Sequence, residues 1–387
     1  MKSFKRLQEK VFQGKIMLEY SRTSWGGIHG QEICLYTITD KTTGFSVSLT
    51  NIGASIVRVR MPDRNGNISD IHYGHETPED YFPNDLAYLG STVGRVCSVL
   101  AFAEFELNGK THKLSKNMAK THCMHGGFEG ISHTIWDCLH VVEDTDNQTV
   151  IIEFVYYSLD GEEGFPGNVN IKARYYISPM KLGIEFKVTT DQSTIMNLTN
   201  HAYWNLDGLF QSIENLELQA NASSYLHVSP WKVIGQTLLH HLPFVKKKKK
   251  FPWELRKTQG TPVDLHKTTS FKKIFQEHGD VDNSFLLDGF QGEPNGCSMH
   301  FAAMLRSPKT GRKFELHTTE PSMMVYTGNN MKGVQSFKRT CKKHDAICFE
   351  PSRPPDAIHQ KAYRDWVILK PEATYYSKME YRFFIED

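Results

Sequence analysis

The chain has 387 residues, 39% of them hydrophobic and 23% charged, and a formal net charge of +2. That is enough apolar material for a sizeable core in one large domain or two ordinary ones. The near-neutral balance supplies no general attraction to nucleic acid or to an anionic membrane, and no run approaches the ~20 apolar residues of a membrane helix.

The chain opens with "MKSFKRLQEKVFQGK", which lacks an apolar core of signal-peptide length and predicts a short helix over Phe4 to Phe12. The sequons at Asn67, Asn147, Asn197 and Asn221 are accordingly read as chance matches. "FSVSL" puts Phe45, Val47 and Leu49 on one face, the period-two pattern of a half-buried strand. "FELNGKTHKL" sets Asn108-Gly109 between two short strand-like runs, a hairpin signal. "VNIKARYYI" aligns Val169, Ile171, Ala173, Tyr175 and Ile177, and "LGIEFKV" aligns Leu182, Ile184, Phe186 and Val188. Trp231 to Gly260, with Pro243, Pro252 and the run Lys246 to Lys250, reads as a long surface loop. A second short helix is predicted over Thr269 to Gln276, and "MHFAAML" aligns Met299, Phe301, Ala303 and Leu305 as a further strand. Many strands separated by turns, with few helices, predict an all-β fold, a large antiparallel β-sandwich in a single domain spanning residues 1–387.

Seven scattered cysteines without a CxxC pair predict reduced thiols and a cytoplasmic protein, not a disulfide scaffold or a zinc site. His240-His241 lies in the long loop without a third ligand, so no metal is expected there. Five stretches carry polar residues that a purely structural strand does not need. His125 precedes Gly126-Gly127, which either make a turn or let backbone approach a ligand. "LDGEEGFPGN" is an acidic turn. "MNLTNHAYWNL" holds His201, either a satisfied interior histidine or a proton carrier. Asp282 precedes an apolar run. Glu350 follows the run Ala346 to Phe349 and precedes a proline-rich segment, which suits a general base, or equally a salt bridge to Arg353. No HExxH, GxxxxGK[ST], GxSxG or strand-to-helix GxGxxG is present, so the corresponding metalloprotease, nucleotide and hydrolase chemistries have no support.

Taken in order, "VGRV" at Val93 to Val96, "FELNGKTHKL", "HGG" at His125, "DGEEGFPG", "LTNHAYWNL", "YTGN" at Tyr326 to Asn329 and "PPDAIH" resemble the aldose 1-epimerase, or galactose mutarotase, family from about Gly53 onward. The resemblance implies a β-supersandwich without metal or cofactor. It implies Glu350 as the base at the anomeric hydroxyl and His201 as the acid at the ring oxygen. It also implies His125, Asp282, Tyr203 and Ser98 as residues that hold the sugar. A free monosaccharide is the implied partner, with a monomeric protein. A histidine suits proton transfer because its ordinary pKa of about 6.5 keeps both states accessible near neutrality.

The chain departs from that pattern. Where the family usually carries an Asn-Arg pair, Ser98 and Val99 stand; Met324 replaces a glutamine and Asn283 a histidine. Arg95 and Arg353 are the nearby candidates to replace the lost arginine. Losing a charged hydrogen bond costs about 1.5–3 kcal/mol, so a non-catalytic sugar-binding protein on the same scaffold is the alternative. A phosphorylated hexose would require a cluster of cations at the cleft.

Overall fold

The structure is a computed structural model, and it describes residues 18–82, 87–228 and 253–387. Three antiparallel sheets dominate. The first takes its five strands in chain order: Leu18–Ile28, Gln31–Asp40, Ser46–Thr50, Ser55–Pro62 and Ile68–Asp70. A nine-stranded sheet has Val169–Ser178, Lys181–Thr190, Tyr375–Ile385 and Arg312–Thr318 as consecutive neighbours through its middle. A seven-stranded sheet runs Trp253–Lys257, Ser224–Val228, Asp282–Leu286, Ser322–Tyr326, Ile347–Ser352, Tyr203–Trp204 and His72–Tyr73. The strand patterns predict this all-β, antiparallel architecture, and the family resemblance implies its supersandwich form.

The alternation read from the sequence has a direct physical outcome. In Val169–Ser178 every second residue is buried, because Val169, Ile171, Ala173, Tyr175 and Ile177 join one hydrophobic core. That core also takes Val47 and Leu49 from the first sheet and Met323, Val325, Ile347 and Phe349 from the seven-stranded one. Rings lock the two large sheets together: Trp204 lies 5.4 Å from Phe314 and 4.8 Å from Tyr381, and Phe314 lies 5.7 Å from Phe349. Aromatic side chains bury large areas and contribute heavily to core energetics. The seven-stranded sheet is thus committed to the core on one face only. Its other face, with Tyr326, Cys348 and Glu350, is left to line a site.

The Asn108-Gly109 hairpin forms as expected between Glu104–Leu107 and Lys110–Lys113, with φ of +51° and +75° at the two turn residues. Both values are those of a type I′ turn, which matches the twist of the flanking strands. The second helix runs Phe271–Glu277, and the Ser270 hydroxyl accepts from the Lys273 N–H at its start. Two expectations are corrected. The strand anticipated from Met299 begins at His300, and its register shifts between Phe301 and Ala303. That bulge buries Ala302 beside Ala303 and takes Phe301 off the core face. Within the loop expected over Trp231 to Gly260, Trp253–Lys257 is a strand that pairs with Ser224–Val228, and residues 231–252 of that loop lie outside the described residues. The Phe4 to Phe12 helix, His240-His241 and the Lys246 to Lys250 run lie outside the described residues.

Candidate functional site

Strand register builds the floor of the site. Tyr203 is the cross-strand partner of Cys348, Cys348 of Tyr326, and Tyr326 of Asp282. One step along, Glu350 is opposite Met324, and Met324 opposite Ser284. Directly opposed residues share a face with Cβ atoms about 4.5–5.5 Å apart, so these side chains form two parallel rows. His201, two residues before Tyr203, extends the second row. Its Nε2 lies 3.5 Å from Glu350 Oε1, and the two residues are only 5% and 4% exposed.

A wall stands over this floor. Ser98 and His125 both take left-handed backbone conformations and clamp each other: the His125 N–H donates to the Ser98 carbonyl at 3.1 Å, and the Ser98 N–H donates to His125 Nδ1 at 3.2 Å. The second bond fixes the neutral tautomer, because an Nδ1 that accepts leaves the proton on Nε2. The His125 ring sits 5.2 Å from that of His201. Tyr203 stacks on His201 at 4.9 Å, and Tyr88 closes the group at 4.8 Å from His125 and 6.1 Å from His201.

The glycines after His125 serve packing. A Cβ on Gly126 would lie 1.9 Å from the Gly94 carbonyl oxygen, and one on Gly127 would lie 2.2 Å from the Glu163 carboxylate. They let the His125 loop close on its neighbours.

Cys348 adds a contact that the sequence reading missed. Its Sγ lies 3.6 Å from His201 Nδ1, leaving Nε2 as the ring nitrogen turned to Glu350. Burial, then the charge of Glu350, pushes this thiol well above its ordinary range, so it stays protonated. Burial likewise raises the Tyr326 phenol, whose oxygen accepts from the Asn330 N–H at 2.7 Å. Period-two counting back from Glu350 places Cys348 on the same face; nothing in the sequence marks Tyr88.

His125, His201 and Glu350 each offer an atom within 4.8 Å of the others, the spacing of a loose metal-ligand group. The tautomer argues for a different use. With Nδ1 of His125 accepting from Ser98, its Nε2–H is a hydrogen-bond donor and not a lone pair for a cation.

Both candidate replacement arginines prove structural. Arg95 is 1% exposed and donates from Nε to Ser158 Oγ at 2.8 Å, from Nη1 to the carbonyls of Pro166 and Gly167 at 3.0 Å each, and from Nη2 to the Leu159 carbonyl at 2.7 Å. It therefore braces the acidic turn that follows Ser158. Glu162 of that turn accepts from the Tyr156 hydroxyl at 2.5 Å, and Glu163 accepts from the Glu129 N–H at 2.9 Å. Arg353 pairs with Glu320 at 2.8 Å, both side chains fully buried. The salt bridge between Glu350 and Arg353 that the sequence allowed is thus replaced by two separate pairs. Val99 is buried opposite Met124, next to His125.

The family model described as aldose 1-epimerase matches residues 35–382. Galactose mutarotase of Bos taurus is 30% identical over 334 residues, covering 85% of this chain and 88% of that protein. The Homo sapiens galactose mutarotase is 29% identical over the same shares, and the aldose 1-epimerase of Escherichia coli (strain K12) is 27% identical over 92% of this chain and 97% of its own. Among solved structures, galactose 1-epimerase from Lactobacillus acidophilus superposes with a TM-score of 0.77 at 22% identity, over 96% of this chain and all of that one. An aldose epimerase homologue from C. elegans gives 0.75 at 22% identity, with 96% of this chain and 100% of that one covered. Those two likenesses speak to the fold.

Proposed function

The chain belongs to the aldose 1-epimerase family, and we propose that it interconverts the α and β anomers of galactose, glucose or a related free aldose through Glu350 and His201. The supporting observation is the approach of His201 Nε2 to Glu350 Oε1 at 3.5 Å in a buried setting. The reaction moves protons at two oxygens bonded to the same carbon, so its acid and base must stand side by side within hydrogen-bond reach of both.

In the forward half, the Glu350 carboxylate takes the proton from the O1 hydroxyl as His201 Nε2 gives a proton to O5. The electrons of O1 close the carbonyl, the C1–O5 bond breaks, and the open-chain aldehyde forms. Rotation about C1–C2 turns the other carbonyl face to O5. The ring closes with both proton transfers reversed, so the net charge of enzyme and sugar is unchanged. His125, through its fixed Nε2–H, donates to a sugar oxygen. Asp282 accepts from sugar hydroxyls, where a charged acceptor gives the stronger bond. Tyr203 holds the His201 ring flat, and Ser98 fixes His125.

The retained pair weighs against a purely sugar-binding role, for which a carboxylate aligned on an imidazole would be costly to bury. A phosphorylated sugar is disfavoured because Arg95 and Arg353 are consumed elsewhere. Among the described residues no helix is long and apolar enough to cross a membrane. Seven unpaired thiols fit a reducing compartment, so we place the protein, as one domain and a monomer, in the cytoplasm.

Polarimetry on freshly dissolved α-galactose and α-glucose tests the activity. Glu350→Gln should lower kcat by about 10²–10⁴-fold with the fold intact by circular dichroism. Full activity in that variant would remove Glu350 from its role.

A further inference from the structure

In the row His201, Glu350, Met324, Ser284, proton transfer uses the first two, and Met324 is the residue that stands directly beside the base. We propose that Met324 faces the C2 edge of the bound sugar and sets specificity, so that the site favours aldoses lacking a hydroxyl at C2. This deepens the acid/base reading above and rests on it.

Met324 is 7% exposed. Its sequence neighbours Met323 and Val325 belong to the central core, whereas Met324 belongs to none of the hydrophobic clusters formed by the described residues. The alternation of the strand explains the difference: Met324 shares its face with Glu350, its cross-strand partner. A large apolar side chain thus stands beside the base, where a hydrogen-bonding group would be expected.

The direction of the sugar follows from the order of the row. His201 flanks Glu350 from one neighbouring strand and Met324 flanks it from the other. With O5 at His201 and O1 at Glu350, the remaining ring neighbour of C1 is C2. Bonds at a tetrahedral carbon diverge, so C2 extends away from His201 and toward Met324. A thioether is a weak acceptor and no donor. A hydroxyl on C2 pressed against it leaves water without gaining a comparable partner on that side. A methylene at C2 carries no such cost and packs against the thioether. An apolar wall discriminates against an added hydroxyl by up to about 100-fold.

The experiment measures kcat/KM for mutarotation of galactose, 2-deoxygalactose, glucose and 2-deoxyglucose. Each value is divided by the uncatalysed rate of the same sugar, which removes intrinsic reactivity. Wild type should prefer both 2-deoxy sugars. Met324→Gln should move the ratio of 2-deoxy to parent sugar by about tenfold or more toward the parent, while Met324→Leu should keep the wild-type preference. The ratio of 6-deoxygalactose to galactose should not respond, since that change lies away from C1. A wild-type preference for the parent sugars, or a ratio that is equal in wild type and Met324→Gln, overturns the proposal and leaves the acid/base reading standing. No acceleration of any of these sugars by wild type removes both.

Discussion

Replacing Arg353 by methionine tests whether the strand that carries Glu350 is held by a buried ion pair. Arg353 and Glu320 meet at 2.8 Å with no exposure on either side chain. The change also deletes the bonds from Arg353 Nη2 to Asn295 Oδ1 at 2.8 Å and to the Tyr376 carbonyl at 3.1 Å, and the guanidinium stacked 3.8 Å above the Tyr375 ring. Methionine fills much of the arginine stem, so the dominant loss is the uncompensated carboxylate, about 3–5 kcal/mol. Burial already holds the Glu320 carboxyl above its ordinary value of 4.5, while Arg353 pulls it down. A carboxyl raised in the folded chain binds its proton more readily there than in the unfolded chain. Its contribution to stability is therefore present below about 4.5 and lost as pH rises through the folded value. Without Arg353 that folded value climbs further, and the deficit widens toward alkaline pH, by at most ~1.4 kcal/mol per pH unit. Urea unfolding followed by tryptophan fluorescence should show Arg353→Met losing more stability at pH 8 than at pH 5. The uncharged double variant Glu320→Gln/Arg353→Met should regain at least half of the loss at pH 8. A loss under about 1 kcal/mol at pH 8, or one equal at the two pH values, would refute the reasoning.

Four further substitutions probe two glycine turns and the contact at His201. Gly126→Ala puts a Cβ 1.9 Å from the Gly94 carbonyl at a φ of +92°, so it should cost at least about 1–3 kcal/mol in thermal unfolding and lower kcat/KM by moving His125. Gly109→Ala, with a φ of +75° and nothing within 4 Å of the added carbon, should cost only about 1–2 kcal/mol and leave turnover alone. Cys348→Ala removes the sulfur beside His201 Nδ1; steady-state kinetics should show kcat falling about tenfold with KM little changed, as for a lost contact that orients a proton carrier. Cys348→Ser keeps a polar partner there and should recover most of that loss.

The sequence was most informative where one face of a strand meets the core. Val169–Ser178 shows in five apolar residues the alternation that the structure uses, because burial on one face leaves only one register. Glu350 was legible as an acid following an apolar run, but the strand does not end there as expected: it continues through Glu350 to Ser352. The partners of Glu350 were not legible, since nothing local states which strands pair. Tyr326 and Met324 come beside the base only through a register set across the sheet. The alternative of a bridge to Arg353 failed on simple geometry: residues three apart on an extended chain point to opposite faces. Trp253–Lys257 was taken for loop because four of its five residues are exposed, so it carries no periodic signal. The positive φ angles at Ser98 and His125 were invisible because neither is glycine.

Ile347–Ser352 has a double allegiance. Ile347 and Phe349 fill the interior, while Cys348 and Glu350 lie on the opposite face, that of the candidate site. Interior packing tolerates little movement, so a changed volume at Phe349 displaces the carboxylate next to it by the same backbone shift. Along this strand, adaptation of the enzyme to heat and adaptation to a new substrate draw on the same few positions, and a gain in one is felt at once in the other.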